Sequence, residues 1–290
     1  MPDGAPGRRV SIVTGGNSGI GLATVVGLAT RGDTVIIAAR DSRRADAAVA
    51  DVRNRTGAGE RVTSLPLDLA SFASVRSFVE QFSERHDRCD VLVANAGLML
   101  HDRQLTEDGH ERQFQTNHLG HFLLVALLRE RLIASAPARV VVVSSGAHKV
   151  GRRNLDFDDL DWDRRRYRGF GAYAATKLMN VLFTRELARR LAGSGVTANA
   201  LHPGFVRSNF ALQGDYGRLG EILVPLAHPF AITPEKGAAT SIYLATAPDI
   251  SRLSGSYFYK CRERPPSRAA QNTALAQKLW TVSEELTGTA

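Results

Sequence analysis

At 290 residues with 43% hydrophobic side chains, the chain has enough material for one α/β domain with a sizeable core. Its formal net charge of +8 comes mostly from arginines spread along the chain, with acids (Asp41, Asp46, Asp161, Asp163) around two of their clusters, so no nucleic-acid partner is expected. With no run of about 18 apolar residues, no membrane span is expected.

Met1–Arg9 is polar and runs straight into a strand, so neither a signal peptide nor an anchor is read there. Cys89 and Cys261 have no metal-ligand spacing, which points to a reduced, cytoplasmic setting and no metal.

The first strand, Val10-Ser11-Ile12-Val13, breaks at Thr14-Gly15-Gly16, and a helix starts at Ile20-Gly21-Leu22-Ala23. Glycine at such a crossing permits positive φ and lets the backbone approach a ligand closely. The amides of the helix N-terminus then face whatever anion sits in the turn. The stretch Gly15-Gly16-Asn17-Ser18-Gly19-Ile20-Gly21 is therefore shaped for a dinucleotide pyrophosphate, with Gly15, Asn17, Ser18, Gly19, Ile20 and Gly21 as contacts. Its glycines are spaced Gly-x-x-x-Gly-x-Gly, not the more common Gly-x-Gly-x-x-Gly. Taken alone, the stretch also fits, less well, a tight strand-to-helix turn with no ligand.

Residues 34–39 form a second strand and close a βαβ unit. An NAD site usually carries an acid at this strand's end for the ribose 2′-hydroxyl. Here stands Arg40, with Arg43 and Arg44 close behind, and a guanidinium pairs with a 2′-phosphate instead. NADP(H) is expected over NAD(H). The bland alternative is a solvated surface arginine.

A helix over 43–55 precedes a strand over 61–67, which ends in Asp68-Leu69. Asp68 could meet an adenine amino group or cap the helix opening at Ser71. A strand over 91–94 runs into Asn95-Ala96-Gly97, small residues suited to a crevice where a cofactor lies against backbone. The repeating strand, helix and short loop predict a doubly wound parallel sheet of Rossmann type with helices on both faces.

A helix over 111–132 carries Asn117 and His121 at i, i+4, and the apolar strand 140–143 ends in Ser144-Ser145-Gly146. A polar excursion over 154–168 reads as a surface loop with a short helix. The helix over 172–191 places Tyr173 and Lys177 on one face. A strand over 196–201 ends in His202-Pro203-Gly204. Residues 205–232, rich in large apolar side chains, read as a mobile lid over an apolar pocket, or else as an ordinary packed helical pair. A helix over 234–247, a strand over 255–259 and a helical tail over 269–286 complete the pattern. There is neither repeat nor linker, so residues 1–290 are expected to form a single domain.

Together these residues resemble the short-chain dehydrogenase/reductase family over nearly the whole chain. Thr14-Gly15-x-x-x-Gly19-x-Gly21 resembles its cofactor turn, Asn95-Ala96-Gly97 its second signature, and Ser145 with Tyr173-x-x-x-Lys177 its catalytic set. Asn117 falls at the family's catalytic Asn, and Pro203-Gly204 at the loop that meets the nicotinamide; Val206 and Ser208 follow on that loop. Residues 183–191 and 202–208 are most similar to the retinol dehydrogenase-like branch, as is the insertion between Ser145 and Tyr173. Ala94 stands where the signature has a first Asn, and Thr176 where Ser precedes the Lys; both departures are read as tolerable. The membrane anchor of many relatives is not read here, which weakens the case for a retinoid substrate.

The resemblance implies that Tyr173 exchanges the proton, Ser145 hydrogen-bonds the carbonyl oxygen, and Lys177 holds the ribose hydroxyls and favours the Tyr173 phenolate. Asn117 is implied to anchor a water that relays protons. A free tyrosine titrates near ~10, so work near neutrality requires stabilising its phenolate by about 4 kcal/mol. The expected activity is hydride transfer between NADP(H) and a small hydrophobic alcohol or carbonyl. The alternative is a non-catalytic nucleotide-binding sensor or scaffold of the same fold. A homodimer or homotetramer joined through the helices containing Asn117 and Tyr173 is the assembly that the resemblance implies.

Overall fold

A computed structural model of the chain describes residues 8–204 and 232–290. Eight strands form one sheet: β1 (Val10–Thr14), β2 (Thr34–Ala39), β3 (Val62–Pro66), β4 (Val91–Ala94), β5 (Ala138–Val143), β6 (Val196–His202), β7 (Tyr257–Tyr259) and β8 (Arg262–Glu263). Their order across the sheet is β3-β2-β1-β4-β5-β6-β7-β8. The first seven run parallel, and β8 turns back antiparallel to β7.

The strands read as continuous apolar runs because both faces of the sheet are covered. In β1 and β2, Ile12 and Ile36 point into one core while Val13 and Ile37 point into the other. The first core is closed by α3 (Phe72–Arg85), α5 (Gly120–Ala134) and part of α6 (Gly169–Arg190) through Phe78, Phe82, Phe122 and Phe183. The second is closed by α1 (Gly19–Thr30), α2 (Ser42–Thr56) and α7 (Pro234–Thr246) through Val25, Leu28, Val52 and Leu244. The C-terminal α8 (Thr273–Thr287) lies on α6, with Trp280 4.8 Å from the Phe122 ring and 5.9 Å from that of Phe183. After β3 at the sheet edge the chain returns to β4 beside β1. The two halves of the sheet thus diverge between the ends of β1 and β4, where doubly wound sheets bind ligands.

Three expectations change. The helix expected over 111–132 is a short α4 (Arg112–Phe114), a π-helical turn (Gln115–Leu119) and then α5, with Asn117 in the middle of the π turn. A further strand, β8, follows a two-residue turn in which Lys260 and Cys261 both adopt positive φ (52° and 56°).

The polar excursion over 154–168 is the expected loop, without the short helix read into it, and it is held against the body of the protein. Its acids accept the segment's own backbone amides, Asp159 Oδ1 from Asp163 N and Arg164 N, while Leu155, Leu160 and Trp162 are buried beneath. The predicted lid over 205–232, with Val206 and Ser208, lies outside the described residues except for Ile232. Among the described residues, no helix is long and apolar enough to cross a membrane.

Candidate functional site

At the end of β1, Gly15 and Gly19 take positive φ, 64° and 53°. Gly21 admits no side chain: a Cβ there would lie 2.1 Å from Gly15 O and 2.7 Å from Asn95 Nδ2. The turn is built together with the end of β4. Asn95 Nδ2 donates to Thr14 O (2.8 Å), and the amides of Asn95 and Ala96 both donate to Thr14 Oγ1 (2.9 Å each). Ser18 stands at the N-cap of α1 without a side-chain cap, whereas Asp41, Ser71 and Asn272 cap α2, α3 and α8. The first-turn amides of Gly19, Ile20 and Gly21, next to the half-buried Asn17, are thereby left for an anion.

Arg40 follows β2 and is exposed. Its neighbour Asp41 is engaged elsewhere, accepting from Arg44 N at 3.0 Å and lying 3.5 Å from Arg44 Nε. Asp68, at the end of β3, accepts from Ala70 N (2.9 Å), and the cap of α3 falls to Ser71, which accepts from Ser74 N. The capping role considered for Asp68 therefore belongs to Ser71. Leu69 is buried beneath Gly120, where a Cβ would meet Leu69 O at 2.4 Å.

The ends of β4 and β5, the π turn and α6 gather the predicted catalytic residues. Asn117 uses its whole side-chain amide as a clamp. Its Oδ1 accepts from Leu98 N (2.8 Å), and its Nδ2 donates to Leu98 O (2.9 Å) and Thr176 Oγ1 (3.1 Å). Thr176 in turn donates to Tyr173 O (2.8 Å), so the position read as a tolerated substitution joins Asn117 to the turn carrying Tyr173. Sequence reasoning missed this link, although the hydroxyl kept at that position signals it.

Lys177 is buried, and its Nζ donates to Val143 O (3.2 Å) and sits 5.5 Å from the half-buried Tyr173 ring. Burial lowers its pKa to about 8. A Cβ at Gly97 would lie 3.2 Å from Asn117 Oδ1 and 3.3 Å from Lys177 Nζ, so glycine keeps that space open. Ser144 Oγ donates to Lys177 O (2.7 Å), and Ser145 begins a 3-10 turn whose Ala147 amide donates to its hydroxyl oxygen (3.2 Å).

Two histidines missed as site residues hold this arrangement. His121 Nδ1 lies 3.3 Å from Asn117 O, which only accepts, so Nδ1 carries the proton and Nε2 accepts from Thr14 Oγ1 (2.9 Å). Burial lowers His121 to about 4, in keeping with a neutral ring. His202, lowered to about 4 chiefly by burial, stacks on Tyr259 and accepts from Gly204 N through Nδ1 (3.3 Å). Gly204 takes a φ of 99° just past Pro203.

Fold, glycine turn and crevice at the divergence of the sheet define a Rossmann-type α/β protein. The family model described as short chain dehydrogenase matches residues 9–156. Retinol dehydrogenase 13 of Homo sapiens is 44% identical over 286 residues, covering 98% of this chain and 85% of that protein. An uncharacterised protein from Mycobacterium Paratuberculosis superposes with a TM-score of 0.77 at 40% identity, covering 97% of this chain and 94% of the other. The Pseudomonas aeruginosa RhlG/NADP active-site complex gives a TM-score of 0.67 at 26% identity, covering 89% and 96%. The chain belongs to the short chain dehydrogenase family and is an oxidoreductase of alcohol or carbonyl groups.

Proposed function

We propose that the protein transfers a hydride between NADP(H) and a hydrophobic alcohol or carbonyl compound, with Tyr173 as the acid/base. The observation that carries this reading is the Lys177 ammonium. It is buried beside the Tyr173 ring with Val143 O as its hydrogen-bond acceptor among the described residues. An ammonium has three N–H donors, and burying it underused is costly unless a ligand completes the set. Ribose hydroxyls and a phenolate oxygen are suited to do so.

The residues present fit a dinucleotide. The uncapped N-terminus of α1 would take the pyrophosphate, Asn95-Ala96-Gly97 and Pro203-Gly204 would flank the nicotinamide half, and Asp68 and Leu69 the adenine. When bound, the dinucleotide supplies or takes up the hydride. Tyr173 gives its proton to the carbonyl oxygen as negative charge develops there. Ser145, whose hydroxyl oxygen accepts from Ala147 N, directs its own O–H to the same oxygen. Lys177 lowers the cost of the Tyr173 phenolate, while Asn117 holds the Leu98 backbone and the α6 turn in register.

The exposed Arg40, with its neighbour Asp41 turned to Arg44, is free to pair with a 2′-phosphate, which supports NADP(H) over NAD(H). A structural relative is an NADP complex by its own description. The two free thiols, Cys89 and Cys261, suit a reducing, cytoplasmic setting.

The test measures the rate of NADPH and NADH consumption with a panel of hydrophobic aldehydes and ketones, for the wild type and Arg40→Asp. The reading expects turnover with NADPH and a fall of about tenfold or more in the NADPH-over-NADH ratio for the variant, the loss of one charge-assisted pair. An unchanged ratio removes Arg40 from the cofactor site. Cofactor binding without turnover of any carbonyl would favour the sensor or scaffold.

A further inference from the structure

We infer that His148 is a positioning residue that ties the Ser145 turn to the chain leading into α8; the inference rests on the proposed role of Ser145. His148 stands three residues after Ser145 in the 3-10 turn Gly146–Lys149 and is completely buried. Its Nδ1 lies 2.7 Å from Ser145 O, and Ser267 N lies 3.1 Å from its Nε2. Each partner can act in only one direction. A carbonyl oxygen only accepts, so Nδ1 carries the proton; an amide only donates, so Nε2 presents its lone pair.

The ring is therefore neutral in a single tautomer, satisfied at both nitrogens. An imidazolium there would set two N–H groups against each other. The ring also packs at 4.8 Å from Tyr257 of β7, which closes its remaining freedom.

The tie reaches far along the chain. Ser267 is 119 residues from His148 and lies just before the 3-10 turn Ala269–Gln271 that leads into α8. On the other side, Ser145 O accepts from both His148 N (3.1 Å) and His148 Nδ1, so the ring fixes the carbonyl of the residue whose hydroxyl is to meet the substrate. The imidazole touches no reacting atom; it acts by holding Ser145. Its removal is expected to slow the chemical step and leave the glycine turn and Lys177 as they are.

The test compares His148→Asn, which keeps a donor at the place of Nδ1, with His148→Leu, which keeps neither contact. For Leu the expected result is a fall in kcat of about 30-fold or more, with KM for NADPH within about threefold of wild type, as for a misplaced reacting group. Asn is expected to recover at least about tenfold of that loss. Equal activity of Asn and Leu, an unchanged kcat for Leu, or a loss confined to KM for NADPH overturns the inference.

A second measurement stands even where Leu does not fold or no carbonyl is turned over. Ring nitrogen-15 spectra of the wild type without cofactor, assigned by the signal lost in His148→Asn, are expected to show a protonated Nδ1 and a bare Nε2. A protonated Nε2 contradicts the tie. Absence of wild-type turnover with the expected nitrogen signals refutes the proposed function and leaves the His148 contacts standing.

Discussion

Lys177 is the residue at which stability and function pull apart. Burial holds its ammonium's pKa down from 10.5 to about 8. Between these values the unfolded chain binds a proton that the folded chain does not, so stability rises with pH across that window. The penalty is thus fully felt below about pH 8, where it amounts to about 3 kcal/mol, and fades as pH climbs toward 10.5. Lys177→Met keeps the length of the side chain and removes the charge, and Val143 O keeps a donor in Asn180 Nδ2 (3.4 Å). Without cofactor the variant is expected to melt above the wild type near about pH 7, with the gap closing as the pH is raised, and to have little turnover. Thermal unfolding over that pH range checks this. A variant less stable than the wild type at neutral pH would mean that the ammonium is well accommodated without a ligand.

At the scale of the element, the strand-to-helix turn and the start of α1 form a unit with the end of β4. A methyl group at position 21 has no room between Gly15 O and the Asn95 amide. Gly21→Ala is therefore expected to cost about 1–3 kcal/mol in urea unfolding, the usual range for overpacking, and to weaken NADPH binding as the turn opens. Unchanged stability together with unchanged binding would contradict the close-packed turn.

This turn was legible in the sequence because glycine is the residue that such a crossing needs, and the strands were legible because sheets covered on both faces read as β-branched runs. The π turn was not: Asn117 and His121 at i, i+4 look helical, and nothing in residue type marks the wider turn between them. The β7–β8 turn was hidden for a similar reason, since Lys260 and Cys261 adopt left-handed backbone without the Gly, Asn or Asp that announces it. The role of Thr176 was half visible, as a retained hydroxyl, and its bond to Asn117 only emerged when α6 met the π turn.

Across the whole molecule, the candidate site draws on the carboxyl ends of β1 to β6, the end of the sheet where doubly wound folds bind their ligands. That is why so many of its residues could be read directly: apart from Asn117, Tyr173 and Lys177, which lie on the π turn and α6, each follows a recognisable strand. What could not be read are the contacts between distant parts, such as Ser267 with His148 and Trp280 of α8 with Phe122 and Phe183, because no local pattern encodes them.

The central claim is that this crevice binds NADPH and that Tyr173 moves the proton. Its most direct test is Tyr173→Phe, with the NADPH dissociation constant and kcat measured on the same preparation against a carbonyl that the wild type reduces. The account predicts binding within about threefold of wild type and a kcat lower by a factor of about 10² to 10⁴, the span of general acid catalysis. A variant that binds NADPH and still turns over at a wild-type rate would contradict it.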